Sequence, residues 1–219
     1  MKLGILWDMD GTLLDTLQDL ADSTNEALMH FGYPQRTLEE VRRFVGTGAW
    51  RLIRLAMPEE EPDSKVDEVL KFYQEYYRNH CQIKTKPYEG ILPALAVLGE
   101  KYPMAVVSNK PDPAVKALAK EYFPGLYALG ESSDCPRKPA PDMVYKAMAA
   151  LGIDRCVYVG DSEVDVLTAS NAGVPCLSVT WGFRDVSQLE EAGGTHFCHD
   201  TGKLPEILEG ILRRSTGKA

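Results

Sequence analysis

Long apolar runs are missing from this 219-residue chain. No stretch approaches the ~18 consecutive apolar residues of a membrane-crossing helix, so no membrane span is expected. Paired cysteines are missing too. The five present (Cys81, Cys135, Cys156, Cys176 and Cys198) are scattered, odd in number and form no CxxC pair. That spacing argues against a disulfide framework and against a zinc site, and predicts reduced thiols in a cytoplasmic setting. Basic charge is in deficit: 24 Lys and Arg stand against 32 Asp and Glu, a net charge of −8. A face able to track a nucleic-acid backbone needs the opposite balance, so no nucleic-acid partner is expected. Internal repeats and low-complexity stretches are absent, apart from a short polar tail, Ser215 to Ala219, that is expected to fray. The first eight residues are too short a run, and too soon acidic at Asp8, to read as a signal peptide.

What is present is enough apolar material, 44% of residues, to pack a core. The run Leu3 to Trp7 ends abruptly at Asp8, with Gly11 as a turn signal, and reads as a buried parallel strand. Helical spacing then takes over. Asp15-Thr16-Leu17-Gln18 fits a capping box, and Leu17, Leu20, Thr24, Leu28 and Phe31 mark one face before Gly32 ends the helix. Thr37-Leu38-Glu39-Glu40 opens a second helix that runs to about Gly46. A third spans about Ala49 to Met57, where Pro58 stops it. A fourth follows Asp63, with Val66, Val69, Leu70, Tyr73 and Tyr77 on one face. Residues 16–85 therefore read as a four-helix insertion. Trp50, Tyr73, Tyr76 and Tyr77 are assigned to its core or to its contact with the rest.

Beyond Gly90 the pattern changes. Apolar runs at Met104 to Ser108, Leu126 to Leu129, Cys156 to Val159 and Pro175 to Val179 alternate with helical stretches at Ile91 to Glu100, Pro113 to Phe123, Asp142 to Leu151 and Val164 to Ala172. A last helix covers Leu204 to Arg213. Alternation of this kind predicts an α/β fold with a parallel sheet and helices on both faces. Residues 1–15 and 86–219 would form that core. The insertion leaves it at the carboxyl end of the first strand, the edge where such sheets bind ligands, and so is placed to act as a lid.

Four short segments end strands or follow them. Asp8 and Asp10 stand two apart at a strand end. They can hold a divalent cation, or divide into a nucleophile and an acid/base. Ser108 and the Asn109 backbone N–H can donate to a phosphoryl oxygen. Lys138, in the Pro-bounded loop Arg137-Lys138-Pro139-Ala140-Pro141, can act as a fixed positive charge. Asp161 and Asp165, in Gly160-Asp161-Ser162-Glu163-Val164-Asp165, supply the hard oxygen ligands that Mg2+ prefers. Each segment alone also serves as an ordinary turn or helix cap. One phosphate pocket at a common sheet edge accounts for all four.

Their order resembles the haloacid dehalogenase superfamily of aspartate-nucleophile phosphotransferases. The resemblance spans the chain: Asp8-Met9-Asp10-Gly11-Thr12-Leu13, a Ser after the second strand, Lys138 before Pro139, Gly160-Asp161-Ser162 with Asp165, and the helical insertion in the place of a small cap domain. It implies a Rossmann-like core and a cofactor, Mg2+. The ion would be held by the Asp8 carboxylate, the Asp10 carbonyl and Asp161, with Asp165 in support. It further implies that Asp8 is the nucleophile, that Asp10 is the general acid and base, that Lys138 offsets charge, and that Thr12, Ser108 and Asn109 position the phosphoryl group. Dehalogenating members lack the second aspartate, so Asp10 favours phosphoryl transfer. Phosphonate-cleaving members use a cap lysine, and the helix Thr37 to Val45 offers only Arg42 and Arg43.

Within the superfamily, Ser108-Asn109-Lys110-Pro111 and Val45-Gly46-Thr47-Gly48-Ala49 resemble the phosphoglycolate phosphatases. The expected substrate is a small phosphorylated metabolite, with 2-phosphoglycolate first, and the expected state a monomer or homodimer. Pyrophosphate or a sugar phosphate is the alternative substrate. A phosphoglucomutase-like transfer and a non-catalytic phosphate- or Mg2+-binding module are the alternative classes. Specificity is expected from Thr47, Gly48 and Arg51 of the cap and from Gly90 at the return to the core. Arg42, Arg43 and Arg54 are further candidates for pairing a substrate carboxylate. His30, His80, His196 and His199 receive no catalytic role.

Overall fold

A computed structural model describes residues 1–216, so the tail predicted to fray lies largely outside the described residues. Strand β1 (Leu3–Trp7) is central. The short strand β2 (Leu14–Asp15) leads into helices α1 (Leu17–His30), α2 (Leu38–Phe44), α3 (Ala49–Ala56) and α4 (Asp63–His80), and β3 (Lys86–Pro87) leads out. Then follow α5 (Ile91–Gly99), β4 (Met104–Pro111), α6 (Asp112–Tyr122), β5 (Tyr127–Glu131), α7 (Asp142–Leu151), β6 (Arg155–Gly160), α8 (Glu163–Ala172), β7 (Cys176–Val179), α9 (Val186–Glu191), β8 (Phe197–Cys198) and α10 (Leu204–Thr216). Among the described residues no helix is long and apolar enough to cross a membrane.

The main sheet has the order β5-β4-β1-β6-β7-β8, and every pairing in it is parallel. Side chains alternate across β1 as the period of two demands. Ile5 and Trp7 enter one core with Val106, Val157, Val159 and Leu208. Leu6 enters the other with Ala105, Val107, Tyr158 and Met143. Helices therefore cover both faces. The chain builds outward from β1 on one side through β4 and β5, then crosses to β6, β7 and β8. The strand order reverses at β1, and the carboxyl ends of β4, β1 and β6 lie side by side. That reversal is where open α/β sheets form their binding crevice.

The helical insertion is tied to the sheet domain by a two-stranded antiparallel ribbon that pairs Leu14 with Pro87 and Asp15 with Lys86. Buried Asp19 on α1 reinforces it. Its carboxylate accepts the Lys84 N–H at 2.9 Å and the Thr85 N–H at 2.8 Å. Within the insertion α1 packs on α4 and α2, and α3 packs on α4. Leu20, Leu28, Val66, Val69, Tyr73 and Tyr77 are buried there.

Some local expectations change. The capping box at Asp15 does not form. Asp15 is committed to the ribbon, Thr16 becomes the cap residue, and its side chain caps nothing. The box at Thr37 forms in full, with the Thr37 hydroxyl accepting from Glu40 N–H and the Glu40 carboxylate accepting from Thr37 N–H. Among the described residues five elements escape the sequence pattern: β2, β3, β8, α9 and a 3-10 turn at Thr201–Lys203. The first three are two-residue strands, too short to carry periodicity. Four of the five cysteines are buried, Cys176 is half-buried, and all are unpaired.

Replacing Asp19 by Ala strands the N–H groups of Lys84 and Thr85 and costs about 2–4 kcal/mol, since these are charge-assisted bonds. Urea denaturation measures it. A loss below about 0.5 kcal/mol would show that the ribbon does not depend on this carboxylate.

Candidate active site

The last paired residue of β1, Trp7, faces Val106 of β4 and Val159 of β6. Asp8 is one residue further on, and Ser108 and Asp161 are each two residues past those partners. Strand register alone thus sets the three side by side. The Asp8 N–H continues the ladder to the Val159 carbonyl at 2.8 Å. Beyond it the chain closes a tight loop in which the N–H groups of Leu13 and Leu14 both reach the Met9 carbonyl at 3.0 Å. Gly11 sits in this loop at φ +87°, and a β-carbon there would lie 2.2 Å from Asp161 Oδ2. Only glycine meets both conditions.

One carboxylate oxygen each from Asp8, Asp161 and Asp165 lies within 4.8 Å of the others, and all three residues are buried. Lys138, with its side chain 3% exposed, enters from the loop before α7. Its Nζ donates to Asp8 Oδ1 at 2.8 Å, to Asp165 Oδ1 at 2.7 Å and to the Tyr158 hydroxyl at 3.0 Å. Tyr158 in turn donates to the Val107 carbonyl at 3.1 Å. Asp165 also caps α8, its Oδ2 accepting from Ser162 N–H and Ser162 Oγ. Asp161 accepts from Thr12 Oγ1 at 3.1 Å and from Phe183 N–H at 2.7 Å.

Three carboxylates against one ammonium leave two uncompensated negative charges in a buried site. The titration behaviour follows from this crowding. Burial pushes the Asp8 carboxyl well above the usual carboxylate range, Asp165 and Asp161 push the same way, and Lys138 pulls against them. Burial and Asp165 push Asp161 up to about 7, against the Phe183 and Thr12 hydrogen bonds. For Lys138, burial alone lowers the value, but Asp165 and Asp8 outweigh it and hold the ammonium well above its ordinary range. The donor set is all oxygen and its charge deficit equals that of a divalent cation, so the residues fit a hard ion such as Mg2+.

A cavity of about 260 Å³ opens above this cluster, between the sheet edge and the insertion. Asp8, Asp10, Ser108, Asn109, Lys138 and Asp161 all line it. Ser108 Oγ accepts the Lys110 N–H at 3.2 Å, which leaves its own proton to donate. The Asn109 side chain works on the protein: Oδ1 accepts the Lys138 N–H at 2.7 Å, and Nδ2 donates to the carbonyls of Lys138 and Gly46. The Thr12 hydroxyl is likewise spent on Asp161.

The specificity candidates scatter. Gly48 lines the cavity, and Thr47 beside it offers its carbonyl to Arg137 at 3.2 Å. Arg51 is exposed and lies outside the cavity lining, because α3 turns Leu52, Ile53 and Ala56 inward. Gly90, at φ +81°, starts α5 against Thr201, also outside the lining. Arg42 pairs with Asp185 and Glu39, Arg43 with Glu39, and Arg54 holds the carbonyls of Pro58 and Glu61.

Residues not singled out from sequence supply much of the framework. Lys110 Nζ pairs with Asp10 Oδ1 at 2.7 Å in a nearly buried contact. Its signal was present, since Lys110-Pro111 repeats the Lys-Pro pairing of Lys138-Pro139. Arg184, buried, pairs with Glu163 at 2.7 Å and donates to the Arg42 and Val45 carbonyls of the insertion. With Asn109 and Arg137, it grips the segment 42–47 through four carbonyls. Nothing near Arg184 in sequence signals this. Tyr158 read only as an apolar strand residue.

Comparison with known proteins agrees with this geometry. The haloacid dehalogenase-like hydrolase family matches residues 5–179. A phosphoglycolate phosphatase of Rhodobacter capsulatus is 35% identical, covering 96% of this chain and 98% of its own length. One of Neisseria meningitidis serogroup A is 32% identical, over 94% of this chain and 92% of its own. A crystal structure from Lactobacillus delbrueckii subsp. bulgaricus superposes with a TM-score of 0.88 at 38% identity, over 94% of this chain and 97% of that one. With the family covering most of the chain and the relatives nearly all of it, this protein belongs to the haloacid dehalogenase-like hydrolases.

Proposed function

We propose that the chain is a Mg2+-dependent phosphomonoester hydrolase that works through an aspartyl-phosphate at Asp8, with 2-phosphoglycolate as its substrate. The carrying observation is the placement of Asp8, bound to Lys138 and crowded by Asp161 and Asp165, at the floor of a cavity that Asp10 also lines. The substrate assignment is supported by the near-full-length relatives named phosphoglycolate phosphatase. The cavity volume, about 260 Å³, falls below the ~300 Å³ at which drug-sized pockets begin, and so suits a small ester.

Asp8 attacks phosphorus in line with the ester oxygen. The Asp8 O–P bond forms as the P–O ester bond breaks, and the Asp10 carboxyl gives its proton to the departing oxygen. Water then attacks phosphorus and gives its proton to Asp10. The Asp8 O–P bond breaks and inorganic phosphate leaves. Both steps bring an anion to an anion, so positive charge must already be in place. Lys138 supplies part of it as a fixed ammonium. The carboxylates of Asp8 and Asp161 and the Asp10 carbonyl, with Asp165 in support, would hold Mg2+, which would supply the rest as a Lewis acid. Ser108 donates its hydroxyl to the phosphoryl group. Thr12 holds Asp161, and Asn109 holds the backbone of Lys138. Residues 16–85 act as a cap over the core formed by 1–15 and 86–219. Gly48 and Thr47 lie where cap and core meet, and Gly90 lies at the return.

Phosphate release from 2-phosphoglycolate, pyrophosphate and sugar phosphates, with Mg2+ or EDTA, tests the assignment. The expected result is preference for 2-phosphoglycolate, loss with EDTA, and a fall of about 10⁴-fold or more in kcat for Asp8→Asn. Activity that survives Asp8→Asn would overturn the nucleophile assignment. Preference for another ester would overturn the substrate.

The raised carboxyls give a second test. Stability contributed by the Asp161 proton is complete below its ordinary value of 3.8 and is lost as pH rises through about 7. A cation competes with that proton, so Mg2+ should raise Tm more at pH 8 than at pH 5.5. Equal increments at the two pH values in calorimetry would show that these carboxylates do not hold the ion.

A further inference from the structure

The cavity is lined by four cations, and three of them are committed or peripheral. Lys138 is spent on Asp8, Asp165 and Tyr158. Arg184 is spent on Glu163 and on the carbonyls of Arg42 and Val45. Arg78 lies exposed on α4. Lys110 differs from all three. Its side chain is 4% exposed, it lines the cavity, and its one carboxylate partner is Asp10, at 2.7 Å. The ammonium lies 4.8 Å from the centre of the Tyr77 ring, with Leu20, Tyr73 and Ala117 also along the wall. Of its three N–H donors, one is used by Asp10. Apolar walls strengthen any further pairing it makes.

The position of Lys110 relative to the chemistry is fixed by Asp10. An acid that protonates the leaving oxygen must lie within about 3 Å of it. Lys110 Nζ is a hydrogen-bond length from that same carboxylate. A group one carbon beyond the leaving oxygen, on the Asp10 side of the cavity, is therefore within reach of the ammonium. An anion there gains a buried, hydrogen-bonded charge pair, while a neutral group gains little and leaves Lys110 with Asp10 alone.

We propose that Lys110 selects substrates carrying a carboxylate one carbon beyond the ester oxygen, by pairing with that carboxylate directly. The proposal deepens the phosphatase reading given above and rests on it. It makes Lys110, a core residue, the reader of the substrate's second charge, in place of the arginines of the helical insertion.

The test compares kcat/KM for 2-phosphoglycolate and for its carboxyl methyl ester, which keeps the same leaving carbon without the charge. Wild type, Lys110→Met, Lys110→Gln and Arg78→Ala are measured as full chains, with circular dichroism as the check of folding. Wild type should favour the acid by about 100-fold, as expected for a buried charge pair. Either Lys110 variant should bring the ratio to within about threefold of one, with most of the change in KM for the acid. Arg78→Ala should leave the ratio standing. Inhibition by glycolate gives a turnover-free reading and should weaken about tenfold or more in Lys110→Gln. A wild-type preference that survives in both Lys110 variants, or a ratio that collapses in Arg78→Ala instead, overturns the proposal. Equal losses on both substrates overturn it as well, because they show Lys110 acting only through Asp10. Phosphatase activity with no wild-type preference for the acid fails at the earlier step, in the assignment of 2-phosphoglycolate.

Discussion

Three buried carboxylates around one ammonium are the constraint on which the rest of this structure turns. Asp8, Asp161 and Asp165 could not share so small a volume in an apolar interior without Lys138, and even with it they remain two charges short of balance. Much of the surrounding architecture serves to hold them. Thr12 and the Phe183 N–H fix Asp161, Ser162 fixes Asp165, and Tyr158 and Asn109 fix Lys138 from its two ends. A densely hydrogen-bonded polar network of this kind is rigid, and rigidity keeps its charge aimed into the cavity. The same crowding that costs stability makes the three carboxylates a fitting set of ligands for a hard cation.

The sheet makes the convergence possible. β4, β1 and β6 are neighbours, although β4 begins nearly one hundred residues after β1 ends. Parallel pairing puts their carboxyl ends at one edge, so residues far apart in sequence become adjacent without any loop having to reach. Lys138 is the exception. It comes from a loop, and its position depends on Asn109 accepting its N–H and donating to its carbonyl. The site thus has two grades of precision: strand register for the carboxylates, and a side-chain clamp for the lysine.

Sequence and structure agree where the signal is repeated over many residues, and part where it is carried by one. Helices α1 to α8 and strands β1, β4, β6 and β7 all follow runs long enough to show a period. Asp8, Asp10, Lys138 and Asp161 could be singled out because each sits in a short segment at a strand end, and because the four segments keep a recognisable order. The partners of those residues had no such mark. Tyr158 has the pattern of an ordinary buried strand residue, and only the fold turns its hydroxyl towards Lys138. Arg184 lies in a loop, where no period exists to be read. The arginines of the helical insertion illustrate the converse. Their charge is visible in sequence, but the helix face that carries it is not fixed until packing decides which side chains point inward, and Arg51 points outward.

The grip on residues 42–47 has a consequence for variation. Arg184, Asn109 and Arg137 hold that segment by the carbonyls of Arg42, Val45, Gly46 and Thr47, and every residue type has a carbonyl. The attachment is therefore indifferent to most substitutions among the residues it holds. Side chains at Arg42, Arg43 and Thr47 can change while the backbone keeps its place over the cavity, whereas Val45 is held by the core and Gly46 by its φ of +124°. A lineage can revise what it presents to a substrate there without rebuilding the joint, and the cost of exploring new substrates falls on single residues instead of on the fold.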